Sequence, residues 1–241
     1  DGITRYRPPN GKKKKHVFEE VMTLAKDQTA KFPFGMITND VKDYLSKEFP
    51  SLNFHSHRDF FEYIYLSSDL ADLEGSDYSK IRNRLNKFHR KYEFEIEKVT
   101  KENMDEIKKF LERWCLWKDC ESDPILSHEK DAIFYSIDNF FKLELKGLLI
   151  RIDDRIEAMS IFEEMSPDTV LVHYEKASTN YDGIYKAINQ ETAKIVRDDY
   201  KFINRESDMG ISGLRRAKLS YRPHHMIEVS HLAKDEISKI L

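Results

Sequence analysis

Cysteine is scarce in this chain, whose 241 residues contain only Cys115 and Cys120. Two cysteines cannot form the disulfide framework of a small secreted domain, so we expect reduced thiols, as in a cytoplasmic protein. Together with His128, the two cysteines match no spacing that is typical of zinc sites. The sequence therefore predicts no metal site, and it offers no Ser/His/Asp or Cys/His arrangement for a covalent intermediate.

Long apolar runs are also missing, and no segment approaches the ~20 consecutive apolar residues that a membrane-spanning helix needs. No signal peptide is visible either. We therefore expect a cytoplasmic protein, with room for a peripheral contact at the inner face of the membrane. Because the chain begins with Asp1 rather than methionine, the sequence leaves open a segment that precedes it.

An excess of charge of either sign is lacking too, since the formal net charge is −3. A near-neutral chain is not a general binder of polyanions, so any contact with nucleic acid or lipid headgroups requires a local patch. What the chain has in quantity is apolar and aromatic side chains, at 40% and 12% of its residues. That supply is sufficient for a folded core and argues against disorder.

Hydrophobic periodicity predicts a mixed α/β fold. Up to residue 91, the pattern indicates helices near 15–25, 39–49, 68–73 and 79–91 and strands at 35–38 and 59–66. After residue 91 it predicts a strand, a helix capped by Thr100, and a second helix that follows a loop through Pro124. Three strands joined by short turns come next, at 147–152, 156–163 and 170–176, and form an antiparallel meander. A helix at 183–198, a strand at 200–204, a short helix at 214–219 and a strand at 224–229 complete the order.

This order of elements resembles that of the GNAT acyltransferases. Three stretches carry a closer resemblance: "RDFFEYIYLSSDLADLEGSDYSKIRNRLNKF" (58–88), "VHYEKASTNYDGIYKAINQE" (172–191) and the G-L-R-x-x-K-x-x-Y-x-P pattern (213–223). Together they look like the family of the C-terminal domain of phosphatidylglycerol lysyltransferases. The resemblance covers nearly the whole chain.

The resemblance implies two tandem GNAT-like domains, each a mixed, mostly antiparallel sheet flanked by helices. We expect an N-terminal domain at 1–91, whose start is left open, and a C-terminal domain at 92–241 that carries the active site. The implied activity is transfer of an aminoacyl group from aminoacyl-tRNA to a hydroxyl or amine acceptor such as a phosphatidylglycerol headgroup. The missing membrane part of the full lysyltransferases leaves the lipid acceptor open.

Coenzyme A is disfavoured as a donor by the residues themselves. Acetyltransferases of this fold bind pyrophosphate with a glycine-rich loop before a helix, where backbone amides approach the anion. Here that loop, 176–183, has a single glycine, and Asp182 would repel phosphate. We therefore predict no cofactor.

Both signs of charge gather in the stretch 204–223. Glu206 and Asp208 follow a predicted strand, and they are candidates for binding the cationic amino group of an aminoacyl donor. Arg215 and Lys218 share a helix face and are candidates for binding phosphate or stabilising an oxyanion. The alternative is a salt-bridged turn that fastens the last helix to the sheet.

A second set of candidates surrounds the end of the meander. Glu175 and His173 are two residues apart on a predicted strand, so alternation places them on one face, where either could act as a base. Tyr181, Asn189 and Gln190 are candidate substrate contacts. The alternative is that these residues serve only packing and the helix surface.

The predicted helix at 79–91 carries six cations and no acid. Its apolar stripe must face the core, so the cations face outward and form a candidate tRNA or phosphate contact. The residues assigned to that contact are Arg82, Arg84, Lys87, Arg90 and Lys91. A solvated helix face is the alternative.

Two other functions remain open from the sequence. One is a coenzyme-A-dependent GNAT N-acyltransferase with an unusual loop. The other is a non-catalytic relative that binds RNA or anionic surfaces.

Overall fold

The chain forms two compact units that alternate along the sequence in a computed structural model, which describes residues 4–122 and 124–241. The first unit comprises 1–63, 206–219 and 225–241, and the second comprises 64–205 and 220–224. This division differs from the predicted boundary after residue 91. The physical reason is that the last strand of the chain returns to pair with the first one.

A small antiparallel sheet organises the first unit. Its strands are β1 (Phe34–Thr38), β2 (His55–Ser56) and β10 (Val229–Leu232), in the order β1-β10-β2. Helices α1 (Lys15–Lys26), α2 (Asn39–Glu48) and α9 (Lys234–Ser238) accompany it. Their apolar faces bury a core that includes Phe18, Met22, Phe34, Leu45 and Leu232.

The other elements of this unit come directly before and after the second unit in the chain. A short 3-10 helix (Arg58–Phe60) precedes β3 (Glu62–Leu66), which crosses from the first unit into the second. After the second unit the chain continues through α8 (Ser212–Ser220) and β9 (His225–Ile227). The predicted strand at 59–66 was therefore too long at its start, and the predicted strand at 224–229 is in fact β9 followed by the start of β10.

The second unit contains most of a seven-stranded sheet, and its strands follow the order β4-β5-β6-β7-β8-β3. They are, in chain order, β4 (Glu95–Lys98), β5 (Lys146–Ile152), β6 (Arg155–Ser166), β7 (Thr169–Ala177) and β8 (Phe202–Asn204). The helices are α3 (Ser67–Asp72), α4 (Ser79–Lys91), α5 (Met104–Lys118), α6 (Pro124–Asp138) and α7 (Ile184–Val196). The predicted meander is confirmed as β5, β6 and β7, whose neighbours pair antiparallel.

The predicted cap at Thr100 is wrong. Helix α5 begins at Met104, and the side-chain oxygen of Asn103 accepts a hydrogen bond from the Thr100 backbone N–H at 2.9 Å. The residue directly before the helix is therefore Asn103, three positions later than predicted, and its side chain binds back to the backbone of Thr100.

The two faces of the second sheet carry different helices. Helices α5 and α6 bury Phe110, Trp114 and Ile137 against Met159 and Ile161 of β6. On the opposite face, α7 approaches the sheet through a hydrogen bond from Asn189 to Glu175 of β7. Alternation along β6 separates the two faces. Glu175 pairs with Ser160, which points to the α7 face, whereas Met159 and Ile161 on either side of Ser160 point to α5 and α6.

Strands β7 and β8 separate after a short parallel pairing. Their register runs from Thr169 with Phe202 to Leu171 with Asn204, where β8 ends, while β7 continues to Ala177. The last six residues of β7 thus extend beyond the end of β8. In an open α/β sheet, such an interruption is where a ligand reaches backbone and side chains.

Helix α7 starts beside α4 because Gly183 permits it. Gly183 has a φ of 99°, and a Cβ there would lie 3.0 Å from the Cβ of Phe88 and 3.1 Å from the carbonyl oxygen of Arg84. A side chain at this position would therefore push α7 away from α4. In the part of the chain that the structure describes, we find no helix with the length and apolarity needed to cross a bilayer.

Candidate active site

A buried ion pair lies where β7 and β8 separate. Arg205, directly after β8, donates from Nη2 to Glu175 Oε2 on β7. Asn189 on α7 donates from Nδ2 to the other carboxylate oxygen, Oε1, at 3.0 Å. The Glu175 and Arg205 side chains are only 11% and 13% exposed. Two hydrogen-bond donors, one of them a cation, thus hold a carboxylate in a fixed orientation inside the second unit.

Aromatic rings and a second cation surround this pair. The Arg205 guanidinium lies 5.1 Å from the ring centroid of Tyr221 and 5.8 Å from that of Tyr65. Lys186, one helical turn before Asn189, places its Nζ 5.2 Å from the Tyr221 ring. We call Glu175, Asn189, Arg205, Tyr65, Tyr221 and Lys186 the Glu175 cluster.

Burial in the Glu175 cluster shifts pKa values and leaves a polar atom without a hydrogen bond in the described part of the chain. Burial lowers the pKa of Lys186, and the positive charges of Arg84 and Arg205 lower it further. Burial raises the pKa of Tyr221. Among the described residues, Asn189 Oδ1 is buried and accepts no hydrogen bond. The cluster therefore offers an acceptor in Asn189 Oδ1 and a poorly solvated donor in Lys186 Nζ.

The structure brings Glu175 and Asn189 together but places the other predicted contacts elsewhere. His173 Nε2 lies 3.0 Å from Glu163 Oε1. Gln190 donates to the backbone oxygen of Ala71 at 2.8 Å. Tyr181 packs edge-on against another tyrosine ring, with centroids 5.0 Å apart. Of the predicted substrate contacts in this unit, only Asn189 belongs to the Glu175 cluster.

A β-bulge explains why His173 and Glu175 have different partners. The register of β6 with β7 shifts between Ile161, which pairs with Tyr174, and Phe162, which pairs with Val172. The extra residue of β7 at this point is His173. The two-residue alternation on which the shared face was predicted is interrupted there.

A second charged group, centred on Asp208, lies in the first unit. Its carboxylate is fully buried and accepts from Arg215 Nε and Nη2 at 2.9 and 2.8 Å, and from Arg58 Nη1 at 3.2 Å. The Tyr63 hydroxyl donates to it at 2.5 Å, and the Gly210 backbone N–H at 2.9 Å. Five bonds hold this carboxylate, which we name with its partners the Asp208 cluster.

The predicted cations of the stretch 204–223, Arg215 and Lys218, serve the same cluster. Hydrogen bonds from Arg215 in particular keep the pKa of Asp208 well below its usual range. Arg215 Nη2 also donates to Asp59 Oδ1 at 2.6 Å. Lys218 donates to the backbone oxygens of Glu206 and Ser207 at 3.1 and 2.7 Å. These contacts match the salt-bridged turn that the sequence left open as the alternative.

The loop of the Asp208 cluster needs its glycine. Gly210 has a φ of 76°, and a Cβ there would lie 2.9 Å from Asp59 Oδ2. Glu206 and Met209 also have positive φ values, of 55° and 50°. In this arrangement Arg215 neutralises Asp208, whose side chain has no exposed surface, so direct contact of Asp208 with a donor amino group has no support from the geometry.

The cations of α4 divide into two sets. Arg82 donates to the backbone oxygens of Leu73 and Gly75, and thereby caps the end of α3. Arg84 forms an ion pair with Asp182 at 2.5 Å. Lys87, Arg90 and Lys91 line an open groove with Asp182. The three C-terminal cations are thus the part of the predicted phosphate contact that faces a groove.

The Arg84 ion pair also bears on the donor. Asp182 is the residue from which we predicted repulsion of a coenzyme A pyrophosphate. With Arg84 at 2.5 Å, that negative charge is largely compensated. The argument against coenzyme A then rests on the single glycine of the loop rather than on charge.

Several residues of these clusters escaped the sequence analysis. In the second unit they are Arg205, Lys186, Tyr221 and Tyr65, and in the first unit Arg58, Asp59 and Tyr63. The signal for the last three was present, since "RDFFEY" opens the first of the quoted stretches. Arg205 stands between the end of the predicted strand and Glu206, where its role depends on a strand far away in sequence.

Comparison with known proteins identifies the class of protein. The sequence model described as "Phosphatidylglycerol lysyltransferase, C-terminal" matches residues 1–232. The chain therefore belongs to this family, which confirms the resemblance that the three quoted stretches indicated.

Solved structures show the fold. A conserved protein of unknown function from Bacteroides thetaiotaomicron VPI-5482 is 32% identical, with a TM-score of 0.86 over 95% of this chain and 79% of that one. The C-terminal domain (DUF2156) of a putative lysylphosphatidylglycerol synthetase from Agrobacterium fabrum is 11% identical, with a TM-score of 0.62 over 94% and 77%. A tandem GNAT protein from the clavulanic acid biosynthesis pathway is 6% identical, with a TM-score of 0.53 over 97% and 76%. These likenesses confirm the predicted tandem GNAT-like fold.

A curated relative is longer than this chain. A protein from Mycoplasmoides gallisepticum, strain R(low), is 25% identical over 177 residues, which make up 71% of this chain and 56% of the relative. The chain thus spans about half of the length of the curated relative that it matches.

Proposed function

We propose that the protein transfers an aminoacyl group from aminoacyl-tRNA to a hydroxyl group on a lipid headgroup such as phosphatidylglycerol. The observation that carries the proposal is the Glu175 cluster at the separation of β7 and β8, in a chain of this family. An aminoacyl ester has a cationic amino group beside a polar carbonyl. The cluster offers a carboxylate and an amide oxygen together with cations, so it suits both ends of that group.

The chemical step is a direct transesterification. The acceptor hydroxyl attacks the ester carbonyl carbon, and Glu175 takes its proton. A tetrahedral intermediate forms, and the Lys186 ammonium donates to its oxyanion. The bond to the ribose oxygen then breaks, and the proton passes to that oxygen. Asn189 Oδ1 accepts a hydrogen bond from the amino group of the donor.

The Asp208 cluster has a supporting part in this proposal. Arg215 and Lys218, which the sequence suggested as catalytic residues, hold the segment 206–210 through Asp208 and two backbone carbonyls. They act as positioning residues for that segment. Glu206, at its start, stays a prediction as a substrate contact.

The tRNA contact is proposed on α4. Lys87, Arg90 and Lys91 lie on the side of the helix away from its buried residues Ile81, Leu85 and Phe88. Contact with tRNA phosphates would release counterions, so binding should weaken steeply with salt. For the acceptor, the name of the family is the support, and the proposal includes a peripheral contact with the membrane.

The decisive experiment supplies a pool of tRNAs charged with labelled amino acids, with and without vesicles that contain phosphatidylglycerol. The proposal predicts that label from one or a few amino acids moves into the lipid fraction. Vesicles of phosphatidylcholine alone, which lack the glycerol hydroxyls of the headgroup, serve as the control. Transfer from acetyl-CoA with no use of any charged tRNA would contradict the proposal.

A further inference from the structure

A cluster of cations surrounds the start of α1 in the first unit. Residues 4–18 contain six lysines and arginines and no acid, although the whole chain has a net charge of −3. These cations are Arg5, Arg7, Lys12, Lys13, Lys14 and Lys15, and all of them are exposed. We call residues 5–15 the basic segment. Its charge is a local feature that does not follow from the composition of the chain.

Contacts at both ends hold the basic segment against the first unit. The Tyr6 backbone N–H donates to the Pro33 carbonyl oxygen at 2.7 Å, and the Gly35 N–H donates to the Tyr6 carbonyl oxygen at 2.9 Å. At the other end, α1 continues from the segment and buries Phe18 and Met22 in the core of the unit. The positive charge is therefore presented at a defined place on the surface.

Some of these cations are engaged and others are not. Lys13 Nζ lies 2.7 Å from Asp40 Oδ2, and Lys15 Nζ lies 5.1 Å from the ring centroid of Phe49. Three cations of the segment form no ion pair with any residue that the structure describes, and they are Arg7, Lys12 and Lys14. The segment thus keeps positive charge that is available to a partner.

The surrounding sequence does not cancel this charge. Residues 4–49 include α1, β1 and α2, and they contain ten lysines and arginines against six acids. This region has a net charge of +4, whereas the rest of the chain is acidic. An anionic partner would therefore be attracted to this region in particular.

The arrangement of the cations favours a charged surface over a nucleic acid. Arginine is the usual residue for bidentate recognition of nucleic-acid phosphates, but four of the six cations here are consecutive lysines. Lys14 has an extended backbone, with φ −128° and ψ 127°, so neighbouring side chains leave the chain in different directions. The potential of an anionic membrane attracts each charge within a Debye length of ~8 Å, whatever its direction.

We propose that the basic segment binds the anionic surface of a lipid bilayer that contains phosphatidylglycerol. The inference rests on the proposed function for the identity of the lipid, and it adds the surface by which the chain meets the membrane. The proposed tRNA contact on α4 lies in the second unit, so the two anionic partners have separate basic surfaces. Each cation near such a membrane contributes roughly a factor of five to binding.

Co-sedimentation of the full chain with lipid vesicles tests the inference. One set of vesicles contains equal parts of phosphatidylglycerol and phosphatidylcholine, and the other contains phosphatidylcholine alone. We expect binding to the first set at low salt, release at high salt because exposed charges are screened, and no binding to the second set. Absence of binding to the phosphatidylglycerol vesicles, or equal binding to both sets, would overturn the inference.

A charge variant and its matched control locate the contact. The variant that removes the unpaired cations is Arg7→Gln/Lys12→Gln/Lys14→Gln. Because these side chains are exposed and form no ion pair among the described residues, the variant should fold, and its binding to phosphatidylglycerol vesicles should weaken by about a hundredfold. The control that removes the same charge from exposed positions of the second unit is Lys109→Gln/Lys118→Gln/Lys142→Gln. Equal weakening by both triple variants would show that only net charge matters and would contradict the inference.

Two further measurements separate the membrane contact from other roles. Filter binding of tRNA shows which polyanion the segment binds. A triple variant of the basic segment that loses affinity for tRNA and keeps its affinity for vesicles would assign the segment to RNA and overturn the inference. Transfer from charged tRNA to monomeric dihexanoyl phosphatidylglycerol needs no membrane surface. If the unaltered chain binds the vesicles but gives no such transfer, the proposed function fails while the membrane contact stands.

Discussion

Asp208 and Glu175 are both carboxylates bound by arginine, but their surroundings suit different tasks. All the contacts of Asp208 come from within its cluster, and its side chain has no exposed surface. Glu175 is bonded by one arginine and one amide, and the neighbouring Asn189 Oδ1 has no partner among the described residues. An internally satisfied carboxylate stabilises a loop, whereas a cluster with unused hydrogen-bonding capacity can still bind a ligand.

Replacing Asp208 should cost stability. In Asp208→Ala, Arg215 and Tyr63 lose a buried partner, so we expect a loss of about 3–5 kcal/mol in the free energy of unfolding. Asp59→Ala removes a carboxylate that binds the same arginine but is 46% exposed, and it should cost only about 0–1 kcal/mol. Urea denaturation measures both. Equal losses in the two variants would show that burial of Asp208 does not decide its contribution.

At the scale of elements, sequence patterns predicted the structure well where an element depends only on residues close to it in the chain. Helix α4 was predicted with the bounds that it has, because its apolar stripe repeats at helical spacing over three turns. The β5–β6–β7 meander followed from its turn residues. The prediction missed β2 and α9 and did not separate β10 from β9. These elements are short, and β10 depends on pairing with β1, almost 200 residues earlier.

The candidate site was harder to predict for the same reason. Glu175 and Asn189 could be singled out because each lies on an element that the sequence predicts, Glu175 on a strand and Asn189 on the helix that follows. Arg205 joins them only because β8 ends beside β7, which the sequence does not show. Likewise, the bulge that separates His173 from Glu175 arises from the pairing of two strands and leaves no local signal.

Helix α4 offers a test of the proposed tRNA contact. In a Lys87→Glu/Arg90→Glu/Lys91→Glu variant, repulsion should weaken tRNA binding, and the slope of log affinity against log salt should fall by up to about 2. Lys109→Glu/Lys118→Glu/Lys142→Glu makes the same change in net charge elsewhere in the second unit. Filter binding at several salt concentrations compares them. Equal weakening by the two triple variants would mean that α4 has no particular role.

Strand β10 carries a histidine that should make the first unit sensitive to acid. The ring of His231 stacks on that of His57 with centroids 4.6 Å apart, and among the described residues its Nε2 is buried without a partner. Burial, then the neighbouring His57 and Arg5, lower the pKa of His231 to about 4. The unfolded chain binds this proton near pH 6.5, so stability is complete above pH 6.5 and falls as the pH decreases towards 4.

The size of this loss of stability in acid follows from the difference between the pKa of His231 in the folded and in the unfolded chain. Between pH 6.5 and 4, protonation of His231 should cost up to about 3 kcal/mol of unfolding free energy. His231→Phe keeps a ring in the stack and removes the titrating group, so its stability should depend less on pH in this range. Urea denaturation at pH 7 and pH 4.5 measures the difference between the two proteins. The same loss in the variant would assign the acid sensitivity to other groups.

For the whole molecule, the family match and the structure describe the same region of chain. The match covers residues 1–232 and therefore includes parts of both compact units. The match covers 56% of its longer curated relative, so the activity proposed here concerns only the transfer reaction of the chain described here. The central claim is that the residues of the Glu175 cluster carry out the transfer of an aminoacyl group from its tRNA ester to an acceptor.

Single-turnover transfer from a charged tRNA, measured for Glu175→Gln beside Glu163→Gln, tests that claim most directly. Glutamine can still accept from Asn189 but cannot take a proton, so Glu175→Gln should lower the rate by about 10²–10⁴-fold with little change in donor affinity. Glu163, the partner of His173 on the neighbouring strand, provides the matched control and should change the rate little. A Glu175→Gln protein that transfers the aminoacyl group at the unaltered rate would contradict the account.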